Sequence, residues 1–221
     1  MSARVLTVCN QKGGSGKTTV SMQLAGAFCR LKKRVLVVDA DPQGTATRWA
    51  ASAPDDKPFP AAVVGLANAA GKVHREVAKF VDDYDLVVVD CPPAAESPVP
   101  QSALLVSDLA IVPLVPSPLD LWASVGIREV ISRMSDINET LQARLLLNQA
   151  QPHQTLTRET LDILPQFGIE LFQTHWRQRT VYRQSAVFGQ TVHDFHSRAA
   201  PAVEEVNALA TEVLALLEVK L

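Results

Sequence analysis

Two lysines five positions apart, Lys12 and Lys17, bracket three glycines in the stretch CNQKGGSGKTT, residues 9–19. Cationic side chains around a glycine-rich turn suit a polyanion. Gly13, Gly14 and Gly16 let the backbone take conformations closed to other residues and come close to an anion. The N–H groups of Gly13, Gly14, Ser15, Gly16, Lys17, Thr18 and Thr19 are then candidates to cradle phosphates at a helix start. Lys17 is placed to reach the β- and γ-phosphates, and Thr18 to give its hydroxyl to Mg²⁺. A glycine turn that merely opens a helix is the alternative. The GKTT continuation after an apolar run disfavours it, and the missing third glycine disfavours a dinucleotide fingerprint.

Three carboxylates fall where such a loop needs them. VLVVDADPQG puts Asp39 and Asp41 at the end of one apolar run, and LVVVDCPP puts Asp90 at the end of another. Ligands of open α/β sheets bind beyond the carboxyl ends of strands. Carboxylates there hold Mg²⁺ through water and orient an attacking water. A single Asp after a strand is as often a helix cap; three beside a phosphate loop are not.

The elements that position these groups follow from periodicity. Val-, Ile- and Leu-rich runs at 4–10, 34–40, 61–65, 85–92, 108–116, 143–149 and 169–175 predict strands. Several are continuously apolar, as in parallel strands buried on both faces. Helices are expected over 16–31, 43–52, 73–82, 100–106, 119–137, 155–167, 180–188 and 199–219. Ser117, Pro118 and Asp120 form a cap signal for the fifth. In the last, Val203, Val206, Ala210, Val213 and Leu217 make an apolar stripe, with Glu204, Glu205, Glu212 and Glu218 on the polar face. Alternating strands and helices predict a single-domain, three-layer α/β sandwich over residues 1–221: a mainly parallel twisted sheet with helices on both faces, of the P-loop NTPase type.

A net charge of −2 gives no global pull toward nucleic acid or membrane, so such binding needs a local patch. Residues 173–198 offer one: Arg177, Arg179, Arg183 and Arg198 against a single acid, Asp194. Trp176 and Tyr182 interleave with them. Arginine forks suit phosphates; a solvated face with arginines paired to nearby carboxylates is the alternative. His193 and His196 stand three apart without an evident third ligand. Cys9, Cys29 and Cys91 have no metal-ligand spacing and suit a reducing cytosol. No stretch approaches the ~20 apolar residues of a membrane span, and no secretory signal is expected.

The loop departs from G-x-x-x-x-G-K-[ST]: Gln11 takes the first glycine position and Lys12 follows it. This K-G-G-x-G-K-[ST] form, with D-x-D-P-Q and D-x-P-P, resembles the deviant Walker motifs of the ParA/MinD family of ATPases. The resemblance spans nearly the whole chain. It implies ATP and Mg²⁺ as ligands and a homodimer when ATP is bound. Lys12 would reach across the two-fold axis to the partner's nucleotide while Lys17 acts within its own subunit. Asp41 would position the hydrolytic water, Asp90 would be the metal-side carboxylate and Asp39 would support the metal shell. Pro116 and Asn148 match positions where relatives stack on and read the adenine, though a strand-ending Asn is also a turn residue.

The resemblance also implies sequence-independent DNA binding through Arg177, Arg179 and Arg183, a nucleoid-associated cytoplasmic location, and slow hydrolysis stimulated by a ParB-like partner. The cargo would be a plasmid, a chromosome origin, a carboxysome or a chemoreceptor array. No helix-turn-helix extension is expected at the N-terminus. The last helix, with only Lys220 basic, argues against a MinD-type membrane anchor. The chain is therefore similar to small stand-alone ParA proteins of the plasmid ParF type. The rival is a small-molecule ATP-dependent enzyme of the same fold, dethiobiotin-synthetase-like, which has no use for Lys12.

Overall fold

The computed structural model describes residues 2–93, 96–117, 124–151, 155–195 and 197–219. Among them the strands are β1 (Arg4–Val8), β2 (Val35–Asp39), β3 (Ala62–Gly65), β4 (Leu86–Asp90), β5 (Leu109–Leu114) and β6 (Gln142–Leu147). The helices are α1 (Lys17–Arg30), α2 (Thr45–Ala51), α3 (Val73–Val77), α4 (Pro98–Leu104), α5 (Val125–Ser135), α6 (Thr155–Ile163), α7 (Thr180–Val187) and α8 (Ala200–Leu216). The sheet order is β3-β2-β4-β1-β5-β6, and every pairing is parallel.

Alternate strand residues divide between two cores, the period-2 consequence of the pleat. Leu6, Val8, Val37, Val88 and Ile111 pack under α1 and α8 on one face. Val5, Cys9, Val38, Val89 and Val112 pack under α3, α4 and α5 on the other. The chain is thus the expected single α/β domain with helices on both faces. Register then sets the chemistry. Asp90 is the paired neighbour of Val8 on one side and of Asp39 on the other, so the phosphate loop leaves β1 beside two carboxylates.

Six of the seven expected strands form, each within two residues of its expected ends. The seventh, 169–175, does not. That segment runs beside β6 but makes only isolated bridges, Leu145 to Leu171 and Ala150 to Arg177. The cause is a side chain. The Glu212 carboxylate on α8 accepts from the backbone N–H groups of Gln173 (2.9 Å) and Thr174 (2.8 Å), which removes them from a ladder. Helix α3 stops at Val77 instead of 82, where bonds tighten to i→i+3, as from Lys79 N to Glu76 O at 3.1 Å and Phe80 N to Val77 O at 3.0 Å. The cap expected at 117–120 depends on Pro118 and Asp120, which lie outside the described residues, as do His196 and Lys220. No described helix is long and apolar enough to cross a membrane.

Candidate active site

The loop between β1 and α1 is held by polar anchors on three sides. Gly14 and Gly16 take φ of 78° and 91°, which L side chains rarely adopt. Gly16 is doubly constrained: a Cβ there would lie 2.3 Å from Asn148 Nδ2. Asn10 Nδ2 donates to Pro113 O at 2.8 Å, and its Oδ1 accepts from Lys12 N at 3.2 Å. Gln11 packs on α5, where a Cβ at Gly126 would stand 2.2 Å from Gln11 Oε1. The side chain at the usual glycine position is thus accommodated by a glycine elsewhere.

Lys17 is 6% exposed, and its Nζ donates to Lys12 O at 3.0 Å. No carboxylate lies within ion-pair distance of it among the described residues. Burial pushes its pKa down, against the opposing pull of Asp90, Cys91 and Asp41. A buried ammonium resting on a carbonyl is short of an anion. Space for one is open, because Cβ atoms added at Gly13 or Gly14 would meet nothing within 4 Å.

Asp90 is fully buried, and its pKa is pushed up to about 7, by burial first and by the Asp39 charge. Hydrogen bonds from Thr18 Oγ1 to Oδ2 (2.7 Å) and from Ser21 Oγ to Oδ1 (3.0 Å) oppose that shift. Asp39, 1% exposed, accepts from Thr47 N at 2.8 Å and Thr47 Oγ1 at 2.9 Å. Asp41 is half-buried, and its Oδ1 accepts from Gln43 N at 2.9 Å. An open anion cradle with an uncompensated ammonium, next to a hydroxyl–carboxylate pair, fits a nucleoside triphosphate with Mg²⁺. Thr18 and Asp90 would hold the ion, with Asp39 supporting. The nearby thiols are inert: burial pushes Cys9 up to about 12 and raises Cys91 as well.

On the other side of the loop a cavity of about 350 Å³ is lined by Gly14, Gly16, Thr19, Asn148 and Gln149, and opposite them by Arg177, Arg179, Tyr182 and Arg183. Of the two residues expected to contact adenine, Asn148 lines this cavity and Pro116 does not. Asn148 is 4% exposed; its Nδ2 donates to Ser15 O at 2.8 Å and its Oδ1 accepts from Gln149 N at 2.9 Å. It therefore braces the loop, and Gln149 Nε2 does the same through Gly14 O at 2.9 Å. Pro116 is buried past β5 and is not among the lining residues.

The arginines expected on an open DNA face stand on this cavity wall. Arg179 is not a free cation: its Nη2 lies 2.6 Å from Glu205 Oε1 in an ion pair. Arg177 and Arg183 are exposed, and neither is ion-paired among the described residues. Glu205 and Glu212, expected on the polar face of the last helix, both hold the 173–182 segment, and the Arg179–Glu205 pair matches the alternative of arginines paired to nearby carboxylates. His193 Nε2 lies 2.8 Å from Asn207 Oδ1. Sequence reasoning missed Ser21, Thr47, Gln149, Glu205 and Gly126. Only Ser21 carried a local signal, one helical turn after Lys17 and on its face.

A glycine-rich loop after β1, a hydrogen-bonded Thr18–Asp90 pair and a buried lysine at a parallel sheet's carboxyl edge define a P-loop nucleotide-binding protein. The chain belongs to the CobQ/CobB/MinD/ParA nucleotide binding domain family, whose model matches residues 6–191. It is 34% identical over 212 residues to maintenance of carboxysome distribution protein A of Halothiobacillus neapolitanus, covering 96% of this chain and 97% of that protein. It is 28% identical over 245 residues to the chromosome-partitioning ATPase Soj of Thermus thermophilus, covering 96% of each. Its fold matches the ATP complex of McdA from Cyanothece with a TM-score of 0.81 at 16% identity, over 99% of this chain and 98% of that one.

Proposed function

We propose that residues 1–221 act as an ATP-driven positioning ATPase that dimerises around nucleotide, binds DNA without sequence preference and distributes a carboxysome-type cargo with the help of an adaptor protein. One observation carries this reading. Lys12 gives its carbonyl to Lys17 Nζ and its N–H to Asn10, while its own ammonium has no partner among the described residues. A cation fixed by its backbone at the loop and unused within its own chain is what a two-fold sandwich of triphosphates requires. The carboxysome follows from the Halothiobacillus relative; a chromosome or plasmid cargo is the reading that Soj supports.

The residues divide the work. Lys17 leaves the Lys12 carbonyl for the phosphate oxygens, and the N–H groups from Gly13 to Thr19 hold the chain of phosphates. Thr18 and Asp90 would hold Mg²⁺, which would supply charge neutralisation at the phosphates. Asp41 orients a water, which attacks the γ-phosphorus as the bond to the ADP oxygen breaks. Lys12 of each copy ties dimerisation to the γ-phosphate, so hydrolysis releases the pair. Non-specific DNA contacts give a Kd of roughly 10⁻⁴ to 10⁻⁶ M, so doubling the arginines on a dimer makes DNA binding follow ATP. The location that follows is the nucleoid.

Sedimentation velocity with ATP and Mg²⁺ tests this. The wild-type chain should shift from monomer to dimer, Asp41→Ala should stay dimeric without turning over, and Lys12→Ala should bind ATP yet stay monomeric. An assembly state indifferent to ATP in the wild type overturns the proposal, and ATP turnover that demands a small metabolite favours the dethiobiotin-synthetase-like alternative.

A further inference from the structure

The cavity wall that faces the phosphate loop is fixed from behind by one residue of α8. The Glu205 carboxylate gathers Arg179 Nε (3.1 and 3.2 Å), Arg179 Nη2 (2.6 Å), the Tyr182 hydroxyl (3.1 Å) and the Arg177 backbone N–H (3.2 Å). Its own carbonyl accepts from Trp176 Nε1 at 3.1 Å. Trp176 is fully buried and stacks on Tyr182, with ring centroids 5.2 Å apart and planes 7° from parallel. The ion pair is shielded, with 25% of the Arg179 side chain and 13% of the Glu205 side chain exposed. Forked arginine–carboxylate pairs fix direction as well as distance. Arg179 and Tyr182 meanwhile line the same cavity as Gly14, Gly16 and Thr19.

We infer that Glu205 is a positioning residue for nucleotide binding: by holding Arg179 and Tyr182 it presets the wall that receives the nucleoside end of the ligand. The inference rests on the reading of the cleft as a nucleotide site. The phosphate loop serves the phosphates, and the polar partners of Glu205 lie on the facing wall and not in that loop. Without Glu205, Arg177 and Arg179, on the irregular stretch that leads into α7, would be long side chains whose ordering on binding weakens affinity. Glu205 does that ordering in advance and ties the last helix to the occupancy of the cleft.

The test is a double-mutant cycle of Glu205→Gln and Arg179→Gln in the full chain, titrated with ADP and, separately, with inorganic pyrophosphate. Each single change should weaken ADP about ten-fold, and the double change no further, because both remove one coupled pair. Pyrophosphate affinity should stay at the wild-type value throughout, which a general loss of structure would not allow. Tyr182→Phe keeps the ring stack and deletes one hydrogen bond; about a three-fold loss for ADP alone is expected of it. Wild-type ADP affinity in Glu205→Gln and Tyr182→Phe overturns the inference. Equal losses for ADP and pyrophosphate overturn it as well. A wild-type chain that binds pyrophosphate but not ADP overturns the nucleotide reading along with it.

Discussion

The two walls of the cleft handle charge in opposite ways. On the loop side the buried groups have no ion-pair partner among the described residues: Lys17 rests on a carbonyl, and Asp90, held by two hydroxyls, sits beside Asp39 with its pKa pushed up to about 7. On the arginine side the most enclosed cation is already neutralised, Arg179 by Glu205. A buried charge left uncompensated costs stability and marks where a ligand of opposite charge belongs. A buried charge already paired is scaffold. The same protein thus shows a site poised for its ligand and, facing it, a strut that holds the opening in shape.

The largest test of that contrast removes one cation from each wall. Lys17→Ala should weaken ATP binding about a thousand-fold, since the one buried cation of the loop among the described residues is gone. It should leave the melting temperature of the nucleotide-free protein unchanged or raised, because an uncompensated charge is deleted. Arg179→Ala should do the reverse on stability and lower the melting temperature, because Glu205, largely shielded from water, is left without its counter-charge. Calorimetry on both variants decides it: a loss of stability in Lys17→Ala would mean that the loop wall is not poised but satisfied.

Asp90 gives the next effect, read by pH. Its pKa in the folded chain, about 7, stands above the ordinary 3.8, so its protonated form favours the fold. The contribution is complete below about pH 4 and is lost as pH rises through about 7. Asp90→Asn does not suffer that loss. Without nucleotide, the variant should therefore be more stable than the wild type at pH 8, by on the order of 2–4 kcal/mol, with the advantage shrinking to nothing toward pH 4. Urea unfolding at several pH values measures it. A difference independent of pH would show that Asp90 is ionised in the resting site.

The two walls also differ in how far sequence reveals them. The loop wall was legible because its chemistry is contiguous: GGSGKTT names the anion cradle, and an Asp ending an apolar run names a carboxylate at the sheet edge. Parallel register did the rest, setting Asp39 and Asp90 side by side. The arginine wall was half legible. Arg177, Arg179 and Arg183 stood out as a basic run, but the carboxylate that pairs Arg179 lay 26 residues away, on the polar face of the last helix. Helical periodicity says which residues share a face; it does not say that an irregular segment will fold over that face. The same blindness made 169–175 a strand, since nothing local marks Glu212 as the acceptor that takes its N–H groups. Gln11 and Gly126 are a third case: the glycine is intelligible only beside the side chain it makes room for.

The smallest effect concerns DNA and separates arginines within the second wall. Each phosphate neutralised contributes roughly 0.9 to the slope of log K against log salt. Arg177 and Arg183 are exposed and unpaired among the described residues, so Arg177→Ala should flatten the slope by about one unit for each DNA phosphate that goes unneutralised, with a modest drop in affinity. The Arg179 guanidinium gives three bonds to Glu205, and leaving them for DNA would strand a carboxylate that is 13% exposed. Arg179→Ala should then leave the salt slope where it was, even as it weakens ADP. Measured by fluorescence anisotropy from low to moderate salt, equal flattening in the two variants would mean that DNA draws Arg179 away from Glu205, and the wall would be a switch rather than a strut. An unchanged slope for Arg179→Ala alone divides the basic run into one arginine that shapes the nucleotide cleft and others that meet the phosphate backbone, a division that composition alone could not make.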